Sequence, residues 1–549
     1  MSSLRKLVDH PRAPLAVFVV LALAAAVWTT LWVSQDRWFY IDEWMILSDR
    51  DASVLNDFIR PHNSHWVAVP VVIYKVLYQL FGLDSYTPYR AVAAGSHVLL
   101  IALVRMVMRR SGAGPWLATG FASTLLLFGP GRENVVWPFQ ITFTLAIALA
   151  LAQMLLADHD EPNPKRDVGA LGCGLLAIMT SGTALPVVAA TGLVLILRRG
   201  WRQTVLQMVP LGLVYLWWLT SFDDPASRLV PAPGPRALAR WIWDSTSAGL
   251  TSVGHYAPLS ALLVVGLLVG VSLALRDAVL QARPTTRKAL QSPIVLPLAL
   301  VGSALVFMGL TGWTRWTVDG SHSTSRYLYV YGVLLMPAFA LAAESLRRHS
   351  RPLAVVLVGA VLAAGVANAS TFAEDTDLFL VNQRSDMASI VRLPEARLVP
   401  SGDHPVRFLA VRVSPTIGFL LSSVDSGRLT PTSHPLSPAE VDKYRALLAF
   451  APIESKQFLY TLSGLEADED QIPQGCEASA MPGPQALAVG TEVRFTQRTV
   501  VHLVDETGAR LGSVPFNPET ADGVTIRLDG VLAEFETDPA ADLFLCAPK

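Results

Sequence analysis

Apolar residues in this chain come in long, nearly unbroken runs rather than in the spaced stripes of a soluble helix. The first run, Pro14–Val33, is about 20 residues long, enough at 1.5 Å per residue to cross a hydrocarbon core of roughly 30 Å. Further runs follow at Pro88–Val107, Pro115–Pro130, Pro138–Ala157, Val168–Thr180, Leu185–Leu197, Thr204–Phe222, Pro258–Leu275, Pro293–Gly312, Tyr327–Ala343 and Pro352–Ala369. By the hydropathy criterion this predicts a polytopic α-helical membrane protein with about eleven spans. No small-residue cleavage site stands around Ser34–Trp38, so the first run is expected to be a retained anchor rather than a secretory leader. The fifth and sixth runs are short and flank "MTSGTALP". That stretch reads as a tight reversal between two half-length helices, against the alternative of one long tilted span.

The basic residues discriminate between the two. With Arg5, Lys6 and Arg12 placed in the cytoplasm, the alternate connections hold Arg109 and Arg110; Lys165 and Arg166; Arg198, Arg199 and Arg202; Arg276, Arg283, Arg287 and Lys288; and Arg347, Arg348 and Arg351. Each connection expected inside then carries a cluster, as the positive-inside rule requires. A single span over Val168–Leu197 would put the last three clusters outside, so two spans are expected. The outer segments become Ser34–Thr87, Gly131–Trp137, Asp223–Ala257 and Trp313–Arg326. The first is about 50 residues long, a length that usually signals function. After the last span, about 180 residues form an extracytoplasmic domain, so the division expected is 1–370 and 371–549.

Polar residues collect in these outer segments. "WFYIDEWMIL" sets Asp42 and Glu43 among large apolar side chains just after the first span. "DRDASVLNDFIRP" predicts a short amphipathic helix ended by Pro61 and is followed by "HNSHW", which carries His62, His65 and Trp66. "VAVPVVIYKVLYQLFGL" has Lys75 and Gln79 on one face and Val72, Ile73, Val76 and Leu80 on the other, the pattern of a helix lying in the membrane interface. Each polar group also has a plain structural role open to it. Asp42 can N-cap a helix starting at Glu43, Glu133 and Asn134 can cap the fourth span, and Arg315 and Arg326 can snorkel to the headgroups. Taken together, however, acids, histidines and arginines map to one face of the membrane. Carboxylates serve as general bases or cation ligands, and arginines offer a fork suited to phosphate. A base beside a phosphate clamp suits transfer of a sugar from a lipid phosphate to a hydroxyl.

Composition narrows the class. Charged residues are 16% and the net charge is −1, against roughly 25% charged in soluble domains, and nothing here suggests nucleic-acid binding. The preference for Arg over Lys suggests a GC-rich bacterial genome, and so a bacterial plasma membrane.

In layout and motifs the chain resembles the GT-C superfamily of membrane glycosyltransferases. The matching residues are "YIDEW" with Asp42 and Glu43, "PHNSHW" ahead of the interfacial helix, Arg90 at the start of the second span, and "SRYLYV" with Arg326 and Tyr327. The likeness covers roughly Pro14 to Ala369. His65-Trp66 replaces the His-Pro pair of the O-mannosyltransferase branch, so that branch's protein acceptor does not carry over. The resemblance implies a polyprenyl-phosphate sugar as donor and a glycan, lipid or protein acceptor, with inversion at the transferred carbon. It implies Asp42 as general base, with Glu43 orienting the acceptor or holding a metal, and Arg326 with Arg315, His322 and Tyr327 at the departing phosphate. His62, His65, Trp66, Glu133 and Asn134 would contact donor or acceptor, Glu133 being the second-choice acid. A divalent cation, Mg or Mn, near Asp42, Glu43 and His65 stays open, because His-x-x-His without a defined carboxylate partner is a weak metal signal.

The C-terminal part changes character. "SPAEVDKYRALLAF" carries a capping box, Ser437 with Glu440. From about residue 485 short alternating segments predict a small β-sandwich or barrel, with a hairpin at "DETGAR". Cys173 lies in a span and reads as a small apolar core residue. Cys476 and Cys546 bracket the β-rich segment on the side where disulfides persist and are expected to pair. Two other functional classes remain open. A transporter or lipid flippase would bury ionisable groups near the bilayer midplane, whereas the acids here collect outside. A non-catalytic envelope assembly protein would use those acids structurally.

Overall fold

The computed structural model describes residues 10–35, 37–222, 232–281, 291–316, 321–373, 383–397, 415–438, 440, 441 and 444, and the strand backbones beyond them. The chain divides into two compact units. One comprises Met1–Gln35, Phe58–Val72 and Thr87–Leu378; the other comprises Asp36–Asp57, Ile73–Tyr86 and Phe379–Lys549.

The helices, in chain order, are α1 Ala13–Trp28, α2 Asp42–Leu47, α3 Leu55–Ile59, α4 Ala68–Phe81, α5 Thr87–Arg110, α6 Pro115–Leu125, α7 Arg132–Val136, α8 Ile141–Ala157 and α9 Pro164–Thr180. They continue with α10 Leu185–Arg198, α11 Trp201–Ser221, α12 Pro235–Gly254, α13 Ala257–Gln281, α14 Val295–Arg315, α15 Ser325–His349, α16 Arg351–Ala373, α17 Arg384–Ile390 and α18 Ile417–Asp425. Proline stands in the first turn of α1, α6, α9, α10 and α12, where its missing N–H costs nothing and its fixed φ suits the helix.

Among the described residues, eight helices are long and apolar enough to cross a membrane: Ala13–Val33, Thr87–Arg110, Pro138–Ala157, Trp201–Ser221, Ala257–Gln281, Val295–Arg315, Ser325–His349 and Arg351–Ala373. The other three expected spans are α6, α9 and α10, of 11, 17 and 14 residues, short of the roughly 20 that a full crossing takes.

The reversal between α9 and α10 is present. Ser181 is fully extended (φ −174°, ψ 151°), and a 3-10 turn, Gly182–Ala184, follows. Asp167 at the start of α9 meets Arg199 just past the end of α10, with Nη1 at 2.6 Å and Nη2 at 3.2 Å. An ion pair between these distal ends requires the two helices to fold back on one another.

α15 is the core of the first unit, with every residue from Tyr327 to Leu346 buried. Its neighbours approach through glycines. A Cβ on Gly131 would lie 2.4 Å from Tyr329 Cδ2, and one on Gly249 would lie 2.4 Å from Tyr331 Cδ1. Large apolar side chains such as Leu213, Leu268 and Val366 are instead exposed on α11, α13 and α16, as lipid-facing surfaces should be.

The basic helix ends gather at one end of this unit. Arg110 Nε and Arg198 Nη1 donate to the two carboxylate oxygens of Asp158, and His159 Nε2 lies 3.1 Å from Asp167. The orientation of α15 follows from His97 of α5. Its Nε2 donates to the Leu126 carbonyl at 3.2 Å, so its Nδ1 accepts from the Tyr329 hydroxyl at 2.7 Å. From that contact both helices run toward basic C-termini.

In the second unit, Ser437 and Glu440 form the expected capping box: the Ser437 N–H donates to Glu440 Oε2 at 2.8 Å, and the Glu440 N–H to Ser437 Oγ at 3.3 Å. Strands β1 Phe450–Pro452, β2 Cys476–Ala480, β3 Glu492–Phe495, β4 Thr499–Val504, β5 Arg510–Phe516, β6 Val524–Leu528, β7 Glu534–Asp538 and β8 Asp542–Cys546 form two antiparallel sheets, in the orders β1-β6-β3-β8-β2 and β5-β4-β7. Strand structure thus begins before residue 485, because β1 and β2 add the outer strands of the first sheet. β4 and β5 pair as expected, with a register shift between Leu503 and Val504; the turn at 505–509 lies outside the described residues. The register of β2 and β8 sets Cys476 opposite Cys546.

Candidate functional site

The acidic pair divides by burial. Glu43 is fully buried, whereas Asp42 keeps partial exposure. The expected N-cap at Asp42 is not formed. Asp42 is the first residue of α2, the capping position is Ile41, and no side chain caps it. Glu43 reaches back instead, its Oε2 accepting from the Tyr40 N–H at 2.8 Å. Its Oε1 accepts from the Tyr74 hydroxyl at 2.6 Å, and the Tyr86 hydroxyl lies 2.9 Å from Oε1 and 2.8 Å from Oε2. A buried carboxylate needs such donors to offset its lost hydration. Around it Trp38, Phe39 and Trp44 pack edge-on or tilted with centroids 5.3–5.4 Å apart, and Trp38 Nε1 donates to the Leu83 carbonyl at 2.9 Å.

α4 supplies Tyr74 from its buried face and leaves Val72, Val76 and Leu80 exposed, the unpartnered apolar stripe of an interfacial helix. Lys75, on the same helix, donates to the carbonyls of Leu47 at 3.0 Å and of Arg50. It therefore closes the C-terminal end of α2, where a cation is favoured. Burial pushes its ammonium down to about 8 despite nearby acids.

"HNSH" forms a two-residue reversal. His62 and His65 exchange main-chain hydrogen bonds at 2.9 Å in both directions, and Asn63 and Ser64 take φ of 47° and 65°, the left-handed pair that such a turn demands. His62 is buried, with its ring 5.2 Å from Phe139. His65 lies against the α9–α10 reversal, where a Cβ on Gly182 would come within 2.9 Å of its Nδ1. Trp66 stacks on Trp218 at 5.4 Å and 2°.

Glu133 and Asn134 do not cap the fourth span. They lie in α7, and α8 begins at Ile141 after a separate 3-10 turn. Glu133 accepts from Ser325 Oγ at 2.6 Å and from Arg326 Nη1 at 3.2 Å, its side chain 11% exposed against 32% for the arginine. The structure thus joins the second-choice acid to the expected phosphate ligand. The Arg326 guanidinium also lies 5.5 Å from the Tyr327 ring centre, a cation–π distance. Asn134 is fully buried, and its amide meets no hydrogen-bond partner among the described residues. His322 stands edge-on to Trp241 at 6.1 Å, and Arg315 is half-buried at the end of α14; residues 317–320 between them lie outside the described residues. These groups lie at the end of the first unit opposite the basic helix ends.

Among the described residues, no group of three or more His, Cys, Asp and Glu side chains is placed to hold a metal ion. Both Glu43 oxygens already accept hydrogen bonds, the donors being the Tyr74 and Tyr86 hydroxyls and the Tyr40 N–H. The tyrosines were missed in the sequence because nothing local marks them: they reach Glu43 from 31 and 43 residues away.

No known protein-family profile matches the chain, and no curated protein does. Solved structures that it resembles include ArnT from Cupriavidus metallidurans. The apo form is 17% identical with a TM-score of 0.34, covering 76% of this chain and 89% of that one. The form bound to undecaprenyl phosphate is 17% identical with a TM-score of 0.35, covering 77% and 90%. The Archaeoglobus fulgidus oligosaccharyltransferase, in complex with Zn and sulfate, is 11% identical with a TM-score of 0.40, covering 77% and 58%. Overlaps of this size assign no role to any residue of this chain.

Proposed function

We propose that this integral membrane protein transfers a sugar from a polyprenyl-phosphate donor to a hydroxyl of an envelope glycan, glycolipid or protein on the extracytoplasmic face. The observation that supports it most is the Glu133–Ser325–Arg326 cluster, at the end of the helical unit opposite its basic helix ends. There Glu133 fixes one edge of the guanidinium while about a third of the arginine side chain stays exposed. A fixed cation at the end of apolar spans suits an anionic phosphate carried on a lipid tail.

In this reading Asp42 accepts the proton of the acceptor hydroxyl as its oxygen attacks the anomeric carbon. The bond to the phosphate oxygen breaks from the opposite side, so the configuration inverts. Arg326, aided by Arg315 and His322, stabilises the charge growing on the departing phosphate.

Transport is the second reading, and the short α9–α10 pair favours it, since broken helices line many transport sites. The turn of that pair is built from Ser181, Gly182 and Thr183, and His65 lies against it. Asp42→Asn tests the proposal directly. It should abolish sugar transfer from a radiolabelled polyprenyl-phosphate sugar while leaving donor binding intact. Full transfer by that variant would remove Asp42 as the base.

A further inference from the structure

We infer that Glu43 is a positioning residue, and that its clamp by Tyr74 and Tyr86 holds Asp42 in place for proton transfer. The inference rests on Asp42 being the base.

Three observations converge on it. Glu43 has no exposed surface, and its two oxygens are taken up by Tyr74 Oη, Tyr86 Oη and the Tyr40 N–H. The donors come from the stretch before α2, from α4 and from the turn before α5, so one carboxylate ties together three segments distant in sequence. Next, Ile41 has φ 34° and ψ −98°. A β-branched residue rarely enters that region, and such strain persists only where the surroundings over-determine it. The bond from Glu43 to the Tyr40 N–H spans Ile41 and closes the turn around it. Lastly, Phe39 packs edge-on to the Tyr86 ring at 4.7 Å, which fixes the hydroxyl that serves both oxygens.

The consequence for Asp42 is geometric. Successive residues on a helix point about 100° apart. With Glu43 anchored inward, its neighbour is turned toward the partly exposed side. The two acids therefore divide the work: Glu43 sets the turn and Asp42 reacts. Neither an acceptor contact nor a cation is required of Glu43.

The experiment uses the full chain in lipid nanodiscs. Tyr74→Phe/Tyr86→Phe removes both hydroxyl donors and keeps both rings. The expected result is a fall in kcat on the order of 10²-fold, the cost of a misplaced catalytic group, with donor KM unchanged. Tyr74→Phe alone, which leaves Tyr86 to both oxygens, should give a smaller fall and serves if the double variant does not fold. A readout independent of activity is a nitroxide at Asp42→Cys, on a chain whose native cysteines are replaced by alanine. Its spectrum should be immobilised with both tyrosines present and mobile without them.

Unchanged kcat in the tyrosine variants, beside an inactive Asp42→Asn, would overturn the clamp and leave the base standing. An active Asp42→Asn would overturn the base; the nitroxide then decides the clamp alone, an unaltered spectrum sinking it. A rise in donor KM with kcat intact would place Glu43 in donor binding and also overturn the inference.

Discussion

Asp158 is the group on which the basic end of the helical unit turns, and its removal should be costly. Its side chain is 1% exposed. Oδ2 accepts from Arg110 Nε at 2.8 Å and Oδ1 from Arg198 Nη1, while its main-chain carbonyl accepts from Arg110 Nη2 at 2.7 Å and Arg166 Nη2 at 3.3 Å. Asp158→Asn keeps the shape and the carbonyl contacts but removes the anion. Among the described residues Arg198, 7% exposed, would keep as an acidic partner Asp160 alone, whose side chain is 84% exposed and 3.4 Å away. Breaking a buried pair costs about 3–5 kcal/mol, and the Arg110 arm adds little because that side chain is 40% exposed and screened by solvent. A loss of about 3 kcal/mol is expected. The assay is reversible unfolding in detergent micelles within a double-mutant cycle with Arg198→Gln, and the coupling should be about 2 kcal/mol. A coupling below about 0.5 kcal/mol with an unchanged midpoint would refute the view that this pair pins α5, α8, α9 and α10 at one end.

Gly249→Ala sets a methyl 2.4 Å from Tyr331 Cδ1, on a ring that is 4% exposed; it should cost about 1–3 kcal/mol, and an unaltered melting temperature would show that α12 is free to shift. Lys75 is held at about 8 in the folded chain, so between there and its ordinary 10.5 the unfolded chain carries a proton that the folded chain lacks. Stability should therefore rise with pH across that window and be fully penalised below it, and Lys75→Met should flatten the rise; equal slopes for the two proteins would contradict this. Cys476 and Cys546, opposed across β2 and β8, should resist alkylation until a reductant is added, and two thiols titrating freely in the folded protein would rule out the pairing.

Apolar runs and basic clusters were legible because they answer to the solvent rather than to a partner: a span must be long and apolar wherever it packs. The α9–α10 reversal was legible for the same reason, through the arginines that follow it. The length of α6 was not, since hydropathy counts apolar residues and cannot see where packing ends a helix. The capping box and the β4–β5 pairing lie within a few residues of sequence and could be read locally.

By itself, then, the sequence determined that the chain is an integral membrane protein with polar groups concentrated between particular spans. Only tertiary structure decided what those groups do to one another. Glu133 meets Arg326 across 193 positions, and Glu43 owes its burial to tyrosines on other segments. Pairing of this kind depends on three-dimensional distance, which a linear pattern of apolar and polar residues does not carry.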